Sequence, residues 1–375
     1  MRLELSEDQE FFRETTRRFL ESEAPLTRVR ELADTAAGFD RGWWLKAGEL
    51  GWTGLFVPEA HGGGSLSGRP LVDAVIVAEE LGRLVAPGPF LPVNVVAAAL
   101  AASGSDEQRA EVLPRLGTGE MIATWAFAET GSPWDSGGVG LVAEPAGDGF
   151  TLTGTKVWVE AAAEADQFLV TARTEDGLTQ FLVPAGTDGV VVTPGRSMDL
   201  VRRYGSVRFD GAQLPASAVV GDVGGAAADA ERQLQIALSL QCAETVGAID
   251  RVFEFTVEYM QERFAFGRPI ASFQALKHRV ADMLLWVESA KATSDGAAEA
   301  IDAGAADAPL LVRAAKAYVG VKSLEILQDC VQLHGGIGVT WEHDLHLYLR
   351  RVTVNRAVYG TPEHHQERIC RLLEI

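Results

Sequence analysis

The stretch VTVNRAVYGTPEHHQ, residues 352–366, gathers a phenol, a carboxylate and two imidazoles in Tyr359, Glu363, His364 and His365. Such groups move protons. A carboxylate or imidazole does so near neutral pH, whereas a phenol with a pKa near 10 is only about 0.1% ionised at pH 7. Tyr359 would therefore need about 4 kcal/mol of help to serve as a base. Thr361 and Pro362 read as the N-cap and first residue of a helix, so Glu363, His364 and His365 are expected to form its first turn rather than a catalytic cluster.

Other reactive residue types are more dispersed. His61-Gly62-Gly63-Gly64 is glycine-rich, but no Gly-Lys-Ser/Thr follows and no strand precedes it. A loop between helices is expected there, not a phosphate cradle. His343 and His346 are three residues apart and share a helix face, yet no third ligand stands at a usual metal-site spacing. No metal site is expected. The G-x-S-x-G, H-E-x-x-H and G-x-G-x-x-G patterns are all missing, so hydrolytic and nicotinamide chemistry have little support. Cys242, Cys330 and Cys370 are odd in number and far apart, which excludes a disulfide framework and predicts a reducing cytoplasm.

The elements that would position these groups fall into three parts, with 1–118 helical, 119–225 rich in β structure and 226–375 helical. The chain has 375 residues, 47% of them hydrophobic, enough for a large core. Ser6 and Gln9 form a capping-box pattern ahead of a helix, and helical periodicity continues through RGWWLKAGELGW, LVDAVIVAEELGRLV, PVNVVAAALAASG and SDEQRAEVLPRLGTGE. From Met121 to about Gly221, short segments such as FTLTGTKVWV and QFLVTART alternate with turns marked by Asp148-Gly149 and Asp176-Gly177. Long periodic helices then run to the end. A net charge of −19 argues against nucleic acid and anionic membranes as partners. The N-terminal MRLELSEDQEFF lacks the apolar centre of a signal peptide, and no apolar run is long enough to cross a membrane.

Four segments, AFAETGSPWDSGG, KVWVEAAAEADQFLV, ERFAFGRPIASFQALKHRVADM and QLHGGIGVTWEHDLHLYLRRVTVNRAVYGT, occur in this order in a helical, β, helical chain. With GSVRFDGAQLPASAVVG as the exit from the β region, the sequence resembles the acyl-CoA dehydrogenase family over nearly its whole length. The resemblance implies a mainly α fold with a helical N-terminal domain, a β-barrel-like middle domain and a C-terminal four-helix bundle through which tetramers assemble. It also implies FAD, an acyl-CoA thioester substrate and electron-transfer flavoprotein as an acceptor.

In that family a glutamate placed directly before Gly-Thr removes the α-proton of the acyl group while the β-hydrogen leaves as hydride to the flavin. Tyr359 holds that position here, with Arg350 nine residues upstream matching the family pattern. Some relatives carry the base on the first long helix of the C-terminal domain, a position that falls at Ala237. Glu244 lies seven residues further on the same face, about 10 Å along the axis, and is expected to be a structural carboxylate, with a displaced base as the alternative. The flavin segments also depart from the pattern. Pro133 and Trp134 replace small residues, and Glu160 stands where a threonine contacts flavin N5, placing a carboxylate against the charge of reduced flavin.

The positions that the family donates to a neighbouring subunit's FAD are largely kept. Arg263, Phe266 and Gly267 match the pyrophosphate segment, although Ala265 replaces a common threonine. Ile270, Phe273 and Gln274 match the surface near the adenine, and Gln332, Gly335 and Gly336 match the Gln-x-x-Gly-Gly turn. The resemblance is therefore to the subunit without the catalytic glutamate in actinobacterial heteromeric (α2β2) acyl-CoA dehydrogenases acting on steroid or other bulky acyl-CoA, with FAD at an interface and a sister subunit carrying the glutamate. The alternatives are a self-sufficient homotetramer using Glu244 and a flavin-free acyl-thioester-binding scaffold.

Overall fold

A computed structural model describes residues 5–375. The first four residues of the N-terminal stretch, read above as lacking a signal peptide's apolar centre, lie outside the described residues. The helices in chain order are α1 (Glu7–Glu23), α2 (Leu26–Leu32), α3 (Arg41–Glu49), α4 (Pro70–Arg83), α5 (Phe90–Ser103), α6 (Asp106–Gly117), α7 (Ala227–Glu262), α8 (Gln274–Asp302), α9 (Ala308–His334), α10 (Leu345–Ala357) and α11 (Pro362–Leu372). The Ser6–Gln9 capping box is formed. A second box, Ser105 with Gln108, starts α6 and had the same signature in the sequence. No helix among the described residues is long and apolar enough to cross a membrane.

Between α6 and α7 run β1 (Ala123–Ala126), β2 (Val142–Ala146), β3 (Gly149–Glu160), β4 (Gln167–Thr174), β5 (Gly177–Pro184), β6 (Val190–Pro194), β7 (Tyr204–Pro215) and β8 (Val219–Val220). They form one sheet in the order β6-β7-β3-β2-β4-β5-β8, with β1 added on β4. The middle domain is thus an open sheet and not a closed barrel, because the end strands β6 and β8 do not pair. Leu152, Phe168, Phe181, Val207 and Phe209 fill its core. Both expected tight turns are present, one residue earlier than the Asp-Gly pairs. Ala146 pairs with Gly149 and Thr174 with Gly177, so strand register puts Gly147-Asp148 and Glu175-Asp176 at the turn centres.

By internal packing the chain divides into two compact units. One comprises Glu31–Ala74 and Pro87–Ala237 and contains the sheet. The other comprises the residues up to Arg30, Val75–Ala86 and Leu238–Ile375. Within this helical unit α9 packs against α8, α10 and α11. The remaining α4 and α7 segments touch backbone to backbone: a Cβ on Gly82 would lie 1.9 Å from the Glu244 carbonyl oxygen, and one on Gly247 would lie 1.9 Å from that of Glu79. Only glycine permits that approach.

Candidate active-site and cofactor segments

The base position lies in the link between α10 and α11. Tyr359 is 4% exposed and has φ +64°, a left-handed conformation uncommon for a bulky residue, and Gly360 follows at φ +100°. Thr361 caps α11 through the His364 amide, with Pro362 in its first turn, as expected. The link is clamped from two sides. His365 Nε2 lies 3.0 Å from the Tyr359 carbonyl oxygen, which places the ring proton on Nε2. Burial, with Lys316 and Arg313 nearby, pushes the His365 pKa down to about 2. From α9, Lys316 Nζ donates to Gln241 Oε1, the Asn355 carbonyl and, at 3.0 Å, the Val358 carbonyl. Burial lowers its pKa to about 8. Lys316 therefore caps the C-terminal carbonyls of α10, and these three acceptors do not include the Tyr359 phenol. Glu363 pairs with Arg356 at 2.8 Å, and its carboxyl is lowered by its own backbone amide and by Thr361.

Glu244 is equally committed. It is 4% exposed on α7, with Oε1 accepting from Arg351 at 2.8 Å and Oε2 from Asn355 at 2.8 Å. Arg351 is fully buried and also donates to the Val85 and Ala86 carbonyls. With a guanidinium on one oxygen and an amide on the other, Glu244 is held in a hydrogen-bonded network within the chain.

In the sheet-containing unit the flavin-matching segments are also tied internally. Glu129 accepts from Lys156 at 2.6 Å and from the Gly140 and Leu141 amides. Burial lowers the Lys156 pKa to about 8 against the pull of Glu129. A bulge between Lys156 and Val159 in the β3–β7 pairing, with φ +55° at Trp158, breaks the strand's alternation. Trp158 turns outward at 52% exposure, while Glu160 turns inward and meets Arg202 at 3.0 Å. Oε1 of Glu160 is thus engaged by Arg202 within the chain.

The donated positions lie in the helical unit and look different. Phe264–Ala265 (β9) pairs with Arg268–Pro269 (β10), and the two-residue turn between them holds Phe266 and Gly267 at φ +53° and +78°. Phe266 is thereby 95% exposed. Arg263, just before β9, is exposed and forms no ion pair among the described residues. The Ile270 amide bonds the Arg263 carbonyl, Gln274 opens α8 exposed, and Phe273 is half-buried under Arg268. Gln332 is exposed on the last turn of α9, and Gly335 and Gly336 follow with nothing within 4 Å of an added Cβ. The Tyr259 hydroxyl donates to the His334 carbonyl at 3.3 Å and the two rings stack at 4.4 Å, so the ends of α7 and α9 meet. This set of an unpaired guanidinium, exposed amides and open glycine backbone fits the phosphates and polar edges of FAD.

His61 ends a one-turn helix before the Gly62–Gly64 loop. His343 packs against His334 and Phe255, His346 stacks on Trp341, and no metal-binding group occurs among the described residues. Cys242 and Cys330 are buried and free, and Cys370 is free and half-buried.

Comparison with known proteins agrees with this architecture. Family models for the acyl-CoA dehydrogenase N-terminal, middle and C-terminal domains match residues 6–120, 124–210 and 227–373. The acyl-CoA dehydrogenase IpdE2 of Mycolicibacterium smegmatis is 33% identical, over 97% of this chain and 98% of its own. Among solved structures, the ChsE4-ChsE5 complex from Mycobacterium tuberculosis superposes with a TM-score of 0.89 at 30% identity, covering 100% of this chain and 99% of that one. A Tcur3481-Tcur3483 steroid ACAD variant superposes at 0.88 with 28% identity over 98% of both chains. The chain belongs to the acyl-CoA dehydrogenase family, whose members are FAD-dependent oxidoreductases.

Proposed function

We propose that this chain is the subunit without a base in a heteromeric acyl-CoA dehydrogenase that introduces an α,β double bond into an acyl-CoA thioester. The observation that carries the reading is the state of the two base positions: Tyr359 is buried in a clamped turn, and Glu244 is consumed by Arg351 and Asn355. A sister subunit would carry the glutamate. FAD, when bound, supplies the hydride acceptor. In this chain Arg263 would hold phosphate oxygens, Gln274 and Gln332 would meet polar edges, and Gly267, Gly335 and Gly336 would let the backbone approach. Ile270, Phe266 and Phe273 would supply apolar cover.

The likeness to a two-protein complex and to a steroid enzyme supports both the heteromer and a bulky acyl group. Three free cysteines fit a reducing cytoplasm. Electron-transfer flavoprotein is the acceptor that family membership suggests. The alternative homotetramer with Glu244 as base would have to break a buried ion pair before each proton transfer. The test is the visible spectrum and turnover of the chain purified alone and with its sister. The reading expects colourless, inactive protein alone and yellow, active complex. Stoichiometric flavin with turnover in the isolated chain would contradict it.

A further inference from the structure

A second concentration of charge lies inside the helical unit, next to the α4–α7 contact that carries Glu244. A cavity of about 580 Å³ opens between α1, α4, α7 and α8. From α1 it is lined by Glu10, Arg13 and Arg17, and from α4 by Glu79, Glu80 and Arg83. From α7 come Asp250 and Glu254, and from α8 Lys291 and Asp295. Six acids thus face four bases. Most are matched: Arg17 holds Glu80 at 2.6 Å, Arg83 holds Asp250 at 2.7 Å and Glu254 at 2.5 Å, and Lys291 holds Asp250 at 2.6 Å. Glu79 takes part in no ion pair among the described residues; it sits among Asp295, Glu80 and Asp250, with Lys291 opposing their effect.

We propose that docking of α1 over this cavity takes up a proton at Glu79, so that the helix is held more tightly as the pH falls. Three of the four walls are fixed. The α4 and α7 backbones are in contact at Gly82 and Gly247, which prevents Glu79 from drawing away from Asp250, and Lys291 ties α8 to α7. The wall that can open is α1. Across the cavity it is tied by the Arg17–Glu80 pair, and the residues it buries are Gln9, Thr16 and Leu20. With α1 in place, burial first, and then Asp295 and Glu80, raise the Glu79 carboxyl from 4.5 to about 8. Glu79 is half-buried with α1 in place; with α1 lifted it becomes more exposed and its pKa returns toward the ordinary carboxylate value.

The sign follows from these two values. Between about pH 4.5 and 8 the docked state carries a proton that the undocked state lacks, so docking weakens as the pH rises and levels off above about 8. In the wild-type full chain, hydrogen exchange of the 7–23 amides, corrected for intrinsic rates, should speed up by on the order of tenfold per pH unit from about 5.5 to 7.5 and then flatten. The α9 amides serve as an unchanged internal reference. Glu79→Gln should reduce the slope to less than about twofold per unit. Asp295→Asn removes a like charge and should move the levelling point to lower pH. Either variant suffices if the other fails to fold. A pH-independent α1 in the wild type, an undiminished slope in Glu79→Gln, or an unmoved levelling point in Asp295→Asn would overturn the proposal.

Discussion

Two regions of the helical unit treat their polar groups in opposite ways. Around Tyr359 and Glu244, the described groups are largely satisfied within the chain: Lys316 by three oxygens, His365 by a carbonyl, and Glu244 by Arg351 and Asn355. At 263–274 and 332–336, Arg263, Gln274, Gln332 and three glycines face outward. A group already bound inside the fold has nothing to offer a substrate, whereas open donors on a rigid scaffold are shaped for something outside it. The contrast is the one expected if, as proposed, this chain contributes to a partner's site and leaves proton abstraction to a sister subunit.

The largest expected effect comes from breaking the closed region. Arg351→Met strands the buried Glu244 carboxylate and should cost about 3 to 5 kcal/mol in denaturant unfolding. A loss under about 1 kcal/mol would mean that Glu244 is free enough to act as a base. A smaller effect concerns pH. The folded pKa of His365 is depressed from 6.5 to about 2, so its contribution is complete above pH 6.5 and is lost as the pH falls below it. Stability should fall by about 1.4 kcal/mol per pH unit from this group, and His365→Gln should remove that part of the slope. An unchanged slope would show that the clamp on Tyr359 is not closed. Smallest of all, Tyr359→Phe in the co-purified complex should alter turnover less than about threefold, against the 10²-fold or more expected for a general base.

How much of this the sequence disclosed depended on the range of the interaction. Helix starts were legible where caps are local, as at Ser6 and at Thr361-Pro362. Turn positions were legible only to one residue, because Asp-Gly marks a turn while pairing along β2–β3 and β4–β5 sets its centre. The departures at Tyr359 and Glu160 were visible as residue types, but their partners were not. Lys316 reaches Gln241 and Val358, and Glu160 reaches Arg202, across separations that no periodicity encodes. Arg351 did leave a trace. It shares a helix face with Leu347, Tyr348 and Asn355, all buried, so helical spacing alone marks it for the core, while the neighbouring Arg350 lies near the Trp341 ring.

Whether the open region completes a partner's FAD site can be measured by titrating FAD into the apo complex with this chain as wild type or Arg263→Ala. Loss of a charge-assisted contact to phosphate, about 1.5 to 3 kcal/mol, predicts that FAD affinity falls about ten- to a hundredfold while the complex stays assembled by size-exclusion chromatography. Unchanged affinity in an intact complex would contradict the account, because the outward-facing Arg263 would then serve no flavin.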